Sequence, residues 1–93
     1  MKTIKVITDF APNGARVWTI SGEQPNGLYV CKMVEKAYLD HILPPSSSNE
    51  EYWGLVAKHM SKVYFDMLDE CGSEYNVAEV QFDCNGQIYK PKA

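Results

Sequence analysis

Residues 49–72, NEEYWGLVAKHMSKVYFDMLDECG, constrain the fold more than any other part of the chain. At 3.6 residues per turn, Trp53, Val56, Met60, Val63, Tyr64, Met67, Leu68 and Cys71 fall on about a third of the circumference, the pattern of a helix whose apolar stripe covers a sheet. Ser48 and Glu51 have capping-box spacing: the serine oxygen accepts the N3 amide while the glutamate reaches back to the cap amide. Gly72 takes the left-handed conformation that ends helices. Lys58, Lys62, Asp66 and Asp69 occupy the opposite face, and Leu55 and Phe65 stand among them, where a helix facing water carries charge.

On either side of this helix the chain alternates with a period of two. In TIKVITDF, Ile4, Val6, Thr8 and Phe10 share one side of a strand, and Pro12-Asn13-Gly14 supplies a turn before ARVWTIS resumes an extended pattern. YNVAEVQFDC places Ala78, Val80, Phe82 and Cys84 on one side, and Asn85-Gly86 then predicts a tight hairpin into Gln87–Lys90, ended by Pro91. In LYVCKMVEKAYLDHIL, Leu28, Cys31, Val34, Tyr38 and Ile42 recur at spacings of three and four. That spacing predicts a first helix, with Asn26 as its N-cap and Pro44-Pro45 as its stop. Leu28–Cys31 also fits a third strand paired with residues 15–21 across the GEQPN loop.

The expected architecture is α+β in the order ββααββ, one domain over residues 1–93. An antiparallel sheet of about four strands comes from the N- and C-terminal hairpins, and two central helices pack on it. Two small sheets with the helices between them are the alternative. MKTIKVITDF lacks the continuous apolar stretch of a secretory signal, and no run approaches the roughly 20 residues of a membrane span. The chain is therefore expected in the cytoplasm, or in a host's cytoplasm if virus-encoded. Three widely spaced cysteines, Cys31, Cys71 and Cys84, suit free buried thiols in a reducing compartment.

Signatures of chemistry are thin. No CxxC or HExxH occurs, and a zinc site would need His41, His59, Cys71 and Cys84 from separate elements; no metal and no cofactor are expected. Cys71 and Cys84 both project from apolar stripes, where burial makes a thiol inert, so a cysteine nucleophile with His59 as base is disfavoured. Asp66, Asp69 and Glu70 cluster near a helix end, but nothing apolar is set to hold one of them protonated. A small-ligand enzyme would need a pocket lined by Tyr38, His59 or Tyr64. Lys2, Lys5 and Arg16 with Trp18 would have to share a sheet face to bind nucleic acid, and Trp18 beside Ile20 reads better as core.

Charge separates the chain more clearly. Net charge is −3, yet Asp66, Asp69, Glu70, Glu74, Glu79 and Asp83 lie between Val63 and Tyr89 with no lysine or arginine among them. That distribution disfavours direct phosphate binding and suits a basic partner. The expectation is a non-enzymatic protein-binding module. Leu55, Phe65, Asp66, Asp69, Glu70, Glu74, Glu79 and Asp83 would form its docking surface for a larger protein or complex whose basic surface binds nucleic acid, as an inhibitor of phage or mobile-element type would. A homodimer joined through a strand edge or the second helix is the other expectation.

Overall fold

The computed structural model describes residues 1–23 and 29–92, with backbone alone for residues 22, 23, 29 and 30. The elements run β1 (Lys2–Phe10), β2 (Arg16–Glu23), β3 (Tyr29–Glu35), α1 (Lys36–Ile42), α2 (Asn49–Glu70), β4 (Val80–Cys84) and β5 (Gln87–Tyr89). A 3-10 turn at Val77–Glu79 precedes β4. The strands form one sheet in the order β3-β2-β1-β4-β5. The α+β class and both predicted hairpins are present.

Both hairpin turns follow from backbone chemistry. Asn85 and Gly86 have φ of 51° and 92°, the left-handed pair a two-residue turn requires, and the Gly86 amide donates to Asp83 Oδ1 at 2.8 Å. At the first turn Gly14, φ 84°, donates to the Ala11 carbonyl, while Asn13 Oδ1 accepts the Ala15 amide.

Two features of the sheet differ from expectation. Residues 29–35 are a strand, paired antiparallel with β2 from Val17↔Glu35 to Glu23↔Tyr29, so the first helix is only the seven residues of α1. The spacing of Cys31 and Val34 satisfies a helix, but the valines of VCKMV also favour a strand, and the long β2 edge offers ladder partners to the backbone groups of the segment that face it. Leu28 and Asn26 lie outside the described residues. The sheet is also mixed rather than antiparallel, because β4 runs parallel to β1 with Ile4 opposite Phe82. A 22-residue helix is about 33 Å long. It carries the chain the full length of the sheet and returns it to the end where β1 starts.

Register puts Ile4, Val6, Trp18, Ile20, Phe82 and Cys84 on the covered face of the sheet. There they meet Val56, Ala57, Met60, Tyr64, Met67 and Leu68 of α2 and the fully buried Leu39 of α1. The valine, leucine, isoleucine, methionine and phenylalanine side chains among them each contribute about 1.5–3 kcal/mol relative to exposure. Phe10, at the far end of β1, extends past the helices and is exposed, with the Arg16 guanidinium 5.3 Å above its ring. On the opposite face Lys5 pairs with Asp83 at 2.7 Å, and Gln81 donates to Thr3 at 2.9 Å. Both contacts stitch the parallel β1–β4 seam. Ile7, Met33 and Ile88 are about half exposed there. No helix among the described residues is long and apolar enough to cross a membrane.

Candidate functional site: the outer face of α2

The N-terminus of α2 is fixed by Ser48, whose Oγ accepts the Glu51 amide at 3.1 Å as the capping box predicts. The return bond goes elsewhere: the Glu51 carboxylate accepts from the Ser47 amide at 3.0 Å and the Ser47 hydroxyl at 2.6 Å, which lowers its pKa. At the other end Gly72, φ 68°, donates to the Asp69 carbonyl and Ser73 to that of Leu68, the paired bonds of a Schellman stop. Cys71 sits in this cap and is exposed rather than in the apolar stripe, since the helix ends before its side chain reaches the sheet.

Between these caps Leu55, Lys58, Lys62, Phe65, Asp66 and Asp69 fall within about 100° of arc on the outward side. Leu55 and Phe65 are about 15 Å apart along the axis, and they have different surroundings. Phe65 is mostly buried: Tyr75, brought back over the helix by the Gly72 stop, stacks on it at 4.8 Å, while Phe82 meets it edge-on at 5.7 Å. The Tyr75 hydroxyl donates to Asp69 at 2.8 Å. That bond, with the nearby charge of Asp66, raises the tyrosine pKa. An aromatic pair rimmed by two carboxylates thus closes the C-terminal half of the face.

Leu55 instead lies in a groove of about 400 Å³ whose lining includes Leu43, Pro44, Lys58, His59, Lys62 and Tyr89. Burial, and then the charge of Lys62, lowers the His59 pKa and favours the neutral ring. Neither Lys58 nor Lys62 makes an ion pair among the described residues.

The acids predicted to act together divide. Asp66, Glu74 and Glu79 are exposed and make no ion pair among the described residues. Glu70 has a loose contact with Lys32 at 3.8 Å. Asp83 lies on the other side of the sheet, where the hydrogen bond from Lys5 holds its pKa low.

A second polar cluster was not legible as a unit. Lys36 donates to Asp40 Oδ2 at 2.7 Å, the Tyr52 hydroxyl donates to Asp40 Oδ1, and the Lys36 ammonium lies 5.5 Å from the Tyr52 ring centroid. Burial pulls Asp40 up, but the hydrogen bonds from Lys36 and Tyr52 outweigh it and its pKa falls. Burial and the bond to Asp40 raise Tyr52, so the phenol stays protonated. The indole of Trp18, 6.4 Å away between centroids, directs its buried Nε1 toward the Tyr52 oxygen without completing a well-formed hydrogen bond. The arrangement clasps α1 to α2 across the end of β2. The i, i+4 spacing of Lys36 and Asp40 was its only sequence signal.

The residues weighed for chemistry are dispersed. Cys84 is fully buried and its pKa is pushed up to about 12, first by desolvation and then by Asp83, while Cys31 and Cys71 are exposed rather than buried. Among the described residues no three His, Cys, Asp or Glu side chains gather in a way that would hold a metal. Tyr64 is in the core, Tyr38 is exposed on α1, and His59 lies in the α2 groove. Trp18 is buried under the helices, whereas Lys5 points from the other face. Comparison with family models, with curated proteins and with solved structures returns no match.

Proposed function

We propose that this chain is a protein-binding module, of inhibitor type, that docks through the C-terminal half of the outer α2 face. Phe65 and Tyr75 form the apolar centre; Asp66, Asp69, Glu74 and Glu79 form the charged rim, with Glu70 turned about 140° away from Phe65 toward Lys32. The supporting observation is the Phe65–Tyr75 stack with Asp69 hydrogen-bonded to the tyrosine, a partly exposed aromatic pair bordered by acids. Interface anchors commonly have this make-up, since aromatics bring contact area at little entropic cost while rim charges steer the encounter. The complementary partner is a larger protein whose basic surface otherwise holds nucleic acid, and the acidic rim competes for that surface. Leu55 and Asp83 are left out because they lie in the basic groove and across the sheet respectively.

Reversing Asp66, Glu74 and Glu79 to lysine tests the reading, since these three make no ion pair among the described residues whose loss would weaken the fold. Capture of basic proteins from lysate is expected to disappear in the D66K/E74K/E79K variant and to weaken with salt. Equal capture by the variant would rule out docking through the acidic rim.

A further inference from the structure

The outer face of α2 is charged in two blocks: Lys58 and Lys62, with His59 beside them, occupy one half, and Asp66 and Asp69 the next. The two lysines and Asp66 make no ion pair among the described residues, although Lys62 and Asp66 have the i, i+4 spacing that would allow one. A face that is basic then acidic along a straight helix is complementary to itself when reversed.

We infer that a second copy of this chain is an occupant of that face, the two α2 helices packing antiparallel about a two-fold axis near Tyr64. Helical spacing then sets Lys62 against Asp66 of the second copy and Lys58 against its Asp69, and symmetry repeats both pairs. Phe65 falls beside the axis, where its exposed edge and Tyr75 supply apolar contact. The groove between Leu43–Pro44 and Tyr89 receives the acidic half-turns of the other helix. Antiparallel helices also oppose their backbone dipoles favourably. A contact confined to one helix pair is small, so the dimer is weak and reversible. Self-association covers the acidic rim assigned above to docking, so dimer and docked complex exclude each other. The inference goes beyond that reading by giving the basic half a role.

Charge exchange provides the test, read by sedimentation equilibrium from low micromolar to near-millimolar concentration at low and high salt. Wild type is expected to gain mass with concentration at low salt and to lose it at high salt. K58E/K62E and D66K/D69K are each expected to stay monomeric. Mixed in equal amounts they should recover association as a heterodimer at least as tight as the wild-type dimer, because the same four cross-helix pairs re-form and the like charges crowded on each variant's own face are neutralised. Should D66K/D69K lose its fold with the Tyr75 bond, K62E mixed with D66K makes the same comparison. A wild type monomeric throughout, a dimer insensitive to either reversal, or a mixture that does not associate would overturn the inference. None of these results bears on docking to a basic partner, which K58E/K62E leaves intact.

Discussion

Phe65→Ala is expected to lower stability by about 2 to 3 kcal/mol. A fully buried Phe→Ala change removes about 3–5 kcal/mol through lost transfer energy and the cavity left behind. Phe65 is mostly buried with one edge exposed, which leaves about two thirds of that, the stack on Tyr75 and the edge contact to Phe82 included. In a domain of 93 residues the loss corresponds to a fall in melting temperature of about 10 to 20 °C. Urea denaturation followed by circular dichroism measures it, with the midpoint moving and the slope unchanged. Phe65→Leu, which keeps volume without the ring, should fall between. A loss below about 0.5 kcal/mol in either melt would mean that Tyr75 does not cover Phe65, and the account of this half of the face would fail.

Ser48→Ala removes the acceptor for the Glu51 amide and is expected to lower stability by about 1 kcal/mol in the same melt. Gly72→Ala forces an L side chain into φ 68°, at about 1 to 2 kcal/mol, and should fray the end of α2 in amide exchange. Thiol reagents should label Cys31 and Cys71 rapidly in the native protein and Cys84 only on unfolding. Cys84 also carries a pH dependence. Its native pKa of about 12 exceeds the ordinary value of 9.0, so between those limits the unfolded chain loses the proton first and stability falls as pH rises. The contribution lost by pH 10 is about 1 kcal/mol, and the melts of Cys84→Ala should lack that part of the alkaline slope.

What the sequence revealed follows from the range of the interactions that decide each element. The caps of α2 and the Asn85-Gly86 turn are settled within four residues, and all were legible, down to the serine oxygen on the Glu51 amide. β3 was not: its apolar spacing fits either a helix or a strand, and the choice rests on the β2 edge, a partner set by tertiary structure. Parallel pairing of β4 with β1 depends on where a 22-residue helix delivers the chain, which alternation within β4 does not encode.

The candidate face shows the same division. Helical arithmetic placed Leu55 and Phe65 on the outward side, but Tyr75 covers Phe65 only because the Gly72 stop folds the chain back. Asp83 was grouped with the other acids by sequence proximity, and strand alternation turned it to the far side of the sheet, against Lys5.

Docking through the acidic rim and binding of nucleic acid to the partner should be mutually exclusive, which a competition assay reads out. A basic protein captured by this chain would be loaded with its nucleic acid, and wild type or D66K/E74K/E79K titrated in while the bound nucleic acid is followed by fluorescence anisotropy. Wild type should release the nucleic acid with an efficiency that falls as salt rises, and the reversed variant should release none. Equal release by both proteins, or a stable ternary complex with nucleic acid still bound, would contradict docking through the acidic rim of α2.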